Sequence, residues 1–126
     1  MLFRLAVCAA ALTCAPAAFA QDMNAQELYE RATKLKKKGP LALLSSDVGV
    51  LKKEIQGAAA ASKAQYEADK KAGRKTRYCP PKGGQSMTSD ELMAELAAIP
   101  EAERRRINSQ EFMTRVIAKK SPCRSA

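Results

Sequence analysis

The chain is 126 residues long, with 22 Lys and Arg against 13 Asp and Glu, a formal net charge of +9, no His and no Trp. Without an imidazole the commonest general base is missing, and Ser–His and Cys–His nucleophilic schemes are excluded. Aromatic residues make up only 5% of the chain, too few for the stacking platforms of single-strand nucleic-acid binding. The positive charge therefore points to an anionic membrane surface, cell-wall polymers or an acidic protein partner.

Arg4 precedes an apolar run from Leu5 to Ala18, and Ala18-Phe19-Ala20 is a small-x-small cleavage site. The run is too short to span a bilayer stably, so residues 1–20 read as a secretory signal peptide cleaved near Ala20. The competing lipoprotein reading centres on Cys14, but Ala11-Leu12-Thr13-Cys14 fits that pattern poorly. The expected location is periplasmic or secreted, where little nucleic acid is available. Cys8 and Cys14 leave with the peptide, and residues 21–126 form one small domain. With Phe112 as its single Phe, that domain must build a thin core from Leu, Ile, Val, Met and Ala.

Four helices are expected. Asn24 can cap the first, with Glu27 completing a capping box; Leu28, Ala32 and Leu35 recur at helical spacing, Lys36 to Lys38 suit the last turn, and Gly39-Pro40 ends it. Pro40 to Leu44 is an apolar connection of about one turn. Ser45-Ser46-Asp47 offers caps for a second helix, along which Val48, Leu51, Ile55, Ala58, Ser62 and Tyr66 follow a 3.6-residue period. Run to Ala72, this helix is about 40 Å long. Its small-residue stretch, Ala58 to Ala61, allows close approach of another helix or a second copy of the chain.

Gly73 to Gln85 reads as a linker. Thr88 caps the third helix with Glu91 as its box partner; Leu92, Met93, Leu96 and Ile99 form its stripe, and Pro100 stops it. Glu101 to Arg106 is a short charged connection. Asn108 caps the fourth helix with Glu111 three residues on, Phe112, Val116 and Ile117 face inward, and Pro122-Cys123 closes it. No stretch alternates as a half-buried strand would, so the fold class is an all-α bundle of about four helices.

Cys79 and Cys123 are the two cysteines left after cleavage, and pairing within the chain is the simplest outcome in an oxidising compartment. An intermolecular bridge or a metal pair are the alternatives, although two cysteines without His are too few ligands for structural zinc. Closing a loop of about 45 residues contributes roughly 4 kcal/mol in the chain-entropy picture. The bridge would staple the third and fourth helices as a hairpin, with the first two covering its apolar face.

No catalytic, cofactor-binding or metal-ligating set stands out. Lys82-Gly83-Gly84-Gln85-Ser86 lacks phosphate-loop spacing, and Asp90, Glu91 and Glu95 are accounted for by capping and the helix dipole. Arg104-Arg105-Arg106 is the densest charge cluster on a turn. It is either a solvated connection or a contact for an acidic partner, since arginine pairs with carboxylates bidentately.

From Tyr78 onward the chain resembles the Rap/Tai family of periplasmic immunity proteins. The resemblance rests on Tyr78-Cys79-Pro80-Pro81, the amphipathic segment Thr88 to Leu96, Pro100-Glu101 with Arg104 to Arg106, Phe112 to Ile117, and Pro122-Cys123. Upstream, Ile55-Gln56-Gly57 is similar to the Ile-x-Gly of that family's central helix. Members commonly carry a second bridge on the first two helices, for which this chain has no cysteines between residues 21 and 78. The resemblance implies a small helical protein that occludes the cleft of a cell-wall amidase toxin delivered by type VI secretion. It assigns Cys79 and Cys123 a structural role and transfers no toxin-contacting residue. The alternative expectation is a periplasmic chaperone or envelope-stress factor that binds unfolded clients.

Overall fold

Four polar caps set the helical frame: Asn24, Ser45, Thr88 and Asn108. In a computed structural model, which describes residues 23–124, α1 spans Ala25–Lys38, α2 Ser46–Lys71, α3 Ser89–Ala98, α4 Glu101–Arg104 and α5 Ser109–Lys120. A 3₁₀ turn over Gly39–Leu44 joins α1 to α2. The expected leader and its cysteines lie outside the described residues. Asn24 and Asn108 accept hydrogen bonds from the amides of Glu27 and Glu111 at 2.9 and 2.8 Å, and Thr88 accepts from Glu91 at 3.2 Å. The capping box is complete at Thr88, whose amide donates to the Glu91 carboxylate at 2.7 Å. Glu27 and Glu111 depart from expectation: Glu27 meets Arg31, and Glu111 meets Arg77 and Arg115.

Among the described residues there is no named strand. A single antiparallel bridge pairs Asn24 with Asn108. The Ala25 amide donates to the Ile107 carbonyl at 2.9 Å, and the Ser109 amide to the Met23 carbonyl at 3.0 Å. The starts of α1 and α5 are thereby fastened to each other.

The bundle is all-α, as the patterning predicted, and its most extensive helix pair is α2 with α5. Ala58 is fully buried in the core, which is what lets α5 approach α2 closely. Phe112, Met113 and Val116 of α5 fill the interior with Leu51 of α2, Leu28 of α1 and Leu96 of α3. The small-residue stretch expected to admit another helix therefore receives one from its own chain. Ser62, one turn further along, is buried as well, 3.2 Å from the Tyr78 hydroxyl and 2.8 Å from the Thr114 hydroxyl.

Cys79 and Cys123 form a disulfide with Cα atoms 4.9 Å apart. The Cys79 amide donates to the Ser121 carbonyl at 2.9 Å, so the end of the linker is bound to the end of α5 both covalently and by hydrogen bond. Just before it, Tyr78 is buried and stacks on Tyr66 of α2, with ring centroids 5.2 Å apart. The bridge thus closes the linker over the α2–α5 pair. Contact between α3 and α5 is lighter and includes two surface ion pairs, Lys119–Glu95 at 2.6 Å and Lys120–Glu91 at 3.0 Å.

Candidate interaction surfaces

The arginine cluster divides into one buried and two exposed residues. Arg104 is only 8% exposed. Its Nε donates to the side-chain oxygen of Gln26 at 2.7 Å, and its Nη1 donates to the carbonyls of Leu96 and Ile99 at the end of α3. The guanidinium carbon lies 4.2 Å from the centre of the Tyr29 ring. Arg104 therefore cannot serve as the partner contact that its exposed sequence setting suggested. A buried cation needs hydrogen-bond partners, and here Gln26 of α1 and the carbonyls of Leu96 and Ile99 at the end of α3 supply them to Nε and Nη1.

This lock fixes the backbone of α4 and the turn after it. Arg105 and Arg106 are exposed there. Arg105 shares its charge with Glu101, donating to one carboxylate oxygen through both Nε and Nη2. That contact holds the Glu101 carboxyl below its ordinary pKa and raises that of Arg105. The Arg106 side chain has no ion-pair partner among the described residues.

A carboxylate–guanidinium chain stands behind the turn. Arg77 grips Glu111 through two parallel bonds of 2.6 and 3.0 Å. Arg115 reaches Glu111 at 2.8 Å and Glu103 at 2.6 Å. Hydrogen bonding from Arg77, reinforced by Arg115, holds the Glu111 carboxyl below the usual range. The hydrogen bonds that Arg115 donates to Glu103 and Glu111 raise its pKa. The linker, α4 and α5 are so joined by alternating charges.

A second surface lies at the far end of α1. The helix has 14 residues, or about 21 Å at the standard rise, and its start touches the arginine turn through Gln26 and Tyr29. At its end the Gly39–Leu44 turn exposes Leu41, Leu43 and Leu44 at 68%, 82% and 85%. These leucines carried no assignment from sequence, because a run with neither a 2-residue nor a 3.6-residue period does not say which way its side chains face. The one available signal was the position of the run between three lysines and a helix cap.

Beside the turn, α1, α2 and the start of α3 enclose a cleft of about 360 Å³. Leu35, Ala42, Val48, Leu51 and Met93 supply apolar walls. The Lys36 ammonium and the Asp90 carboxylate, 3.9 Å apart, are the charged groups along it. Among the described residues, no group of three or more His, Cys, Asp or Glu side chains is placed to hold a metal ion, and no helix is long and apolar enough to cross a membrane. Comparison with protein-family models, curated proteins and solved structures gives no match.

Proposed function

We propose that this chain is a non-enzymatic binding protein of the periplasm or the secreted space that acts by occluding a partner's surface, in the manner its resemblance to Rap/Tai immunity proteins implies. The observation that supports this reading is the burial of Arg104. A guanidinium locked by Gln26, Leu96, Ile99 and Tyr29 fixes the turn carrying Arg105 and Arg106 before any partner arrives. Pre-organised cations lose little freedom on docking, which favours affinity for an acidic surface. The partner class in this reading is a cell-wall amidase with a carboxylate-rich cleft rim.

The test is inhibition. The chain from Gln21 onward, which contains the whole described core, is titrated against a secreted peptidoglycan amidase encoded beside its gene, and cell-wall cleavage is followed. Stoichiometric inhibition, weakened by Arg105→Glu with Arg106→Glu while the melting temperature stays constant, is the expected result. Undiminished cleavage at saturating protein sinks the proposal. Capture of many unfolded clients in place of one hydrolase replaces it with the chaperone reading.

A further inference from the structure

We infer that the Gly39–Leu44 turn is a wedge for the surface of an anionic phospholipid bilayer. Leu41, Leu43 and Leu44 are between 68% and 85% exposed, far more than a folded domain gains by placing three neighbouring leucines in water. Val50, at the start of α2, adds further exposed apolar surface. The backbone beneath the leucines is suited to leaving water. Pro40 has no N–H, the turn is hydrogen-bonded as a 3₁₀ helix, and the Ser45 amide donates to the Ala42 carbonyl at 2.9 Å. Few backbone groups would enter the lipid interface unpaired.

Charge identifies the lipid. Lys36, Lys37 and Lys38 form the last turn of α1 immediately before the wedge, and all three are exposed. Lys52 and Lys53 are exposed on α2 just after it. The carboxylates on this side are few: Asp47 faces Arg31 at 3.8 Å, and Asp90 faces Lys36 at 3.9 Å. Glu54, further along α2, accepts a hydrogen bond from Ser109. Leucines at the tip with a lysine collar behind match a bilayer, in which the apolar groups enter the acyl boundary while the ammonium groups meet phosphate. The composition also argues against a protein groove as occupant. Protein interface centres are enriched in Tyr, Trp, Phe, Met and Arg and depleted in Lys, whereas the turn itself, Gly39-Pro40-Leu41-Ala42-Leu43-Leu44, has no aromatic residue, Met or Arg and is preceded by three lysines.

The experiment is vesicle co-sedimentation of the chain from Gln21 onward, so that the apolar run at residues 5–18 plays no part. Vesicles of phosphatidylcholine alone are compared with vesicles of phosphatidylcholine and phosphatidylglycerol in equal parts. Binding to the anionic vesicles alone is expected, weakened by salt. Leu43→Ser with Leu44→Ser should lower it at least about tenfold, with the melting temperature unchanged because both side chains are exposed. Lys37→Gln with Lys38→Gln should lower it severalfold. The inference is overturned by the absence of anionic-vesicle binding, by equal binding to neutral vesicles, or by leucine variants that bind as well as the parent. It is likewise overturned if the parent is a dimer in solution that the leucine variants dissolve, since the patch would then be an interface between copies.

Discussion

Asn24 and Asn108 face each other across the one β-bridge among the described residues, and each is at the same time the cap of the helix that follows it. Two helix starts that lie far apart in sequence are thereby held in register. The cap side chains satisfy the Glu27 and Glu111 amides, while the flanking backbone groups bond across to the other helix. Replacing either Asn by Ala should cost about 1 kcal/mol, or a fall of about 4–8 °C in melting temperature for a domain of this size. Because the two caps share one bridge, the double variant should depart from additivity by a measurable amount. Thermal melts of the two single variants and the double variant decide this; strictly additive losses would mean that the bridge does not couple the helices.

Arg104 and Arg105 are adjacent in sequence and should respond to substitution very differently. Arg104→Met retains an apolar stem but leaves the Gln26 oxygen and the Ile99 carbonyl without their donor, and the Leu96 carbonyl with the Ile99 amide alone. The expected loss is on the order of 2–4 kcal/mol, because those acceptors cannot all regain water. Arg105→Met removes an exposed, solvent-screened pair with Glu101 and should leave the urea midpoint essentially unchanged. Urea midpoints at constant slope distinguish the two. Similar midpoints for both variants would show that Arg104 is not the internal anchor of the turn.

These two residues also mark where sequence stops being informative. The caps at Asn24, Thr88 and Asn108 were legible because capping is a local interaction over three residues. What the following glutamates do was not: Glu27 and Glu111 are claimed by arginines whose positions depend on the fold, so the reciprocal half of the box forms only at Thr88. Three consecutive arginines on a charged connection look alike in sequence. Which one turns inward is decided by Gln26 and Tyr29, more than seventy residues away along the chain. The cysteine pairing was legible by elimination, whereas the burial of Tyr78 and its stack on Tyr66 were not: Tyr66 fell on the apolar period of the second helix, but Tyr78 sits in a segment that reads as a linker, with no period to say that its ring turns inward. The outward leucines of the Gly39–Leu44 turn were hidden for lack of any period.

The Cys79–Cys123 bridge closes a span of 44 residues, and both cysteines are exposed. Its loss should destabilise the domain by roughly 4 kcal/mol if the effect lies in the unfolded chain. Exposure adds a kinetic expectation: mild reductant should open the bridge in the folded protein, without denaturant. Thiol titration of the chain from Gln21 should find none before reduction and two afterwards, with the melting temperature falling in step. Two thiols before reduction would remove the covalent tie from the fold.

Acid should act first through Glu111. Its folded-state pKa lies below the unfolded value, chiefly because Arg77 donates to it, with Arg115 adding further bonds. Its position in the first turn of α5 favours the anion as well. A depressed carboxylate pKa contributes stability that is fully present above the unfolded value of about 4.3 and is lost as pH falls through the lower folded value. Glu91 and Glu101 shift in the same direction, but they are exposed to solvent and screened, so their share is small. Arg77 and Arg115, whose pKa values are raised by their carboxylate partners, keep their charge across this window and leave the acid limb to the carboxylates. Urea midpoints measured from about pH 6 to about pH 3 should therefore fall more steeply for the parent than for Glu111→Gln, which has no charge to lose. Arg77→Met should flatten the same limb by releasing the carboxylate from its main donor. If the three curves run parallel, ionisation of Glu111 contributes nothing to stability, and the linker is held to the end of α5 by the disulfide and the Cys79–Ser121 hydrogen bond instead of the charge chain.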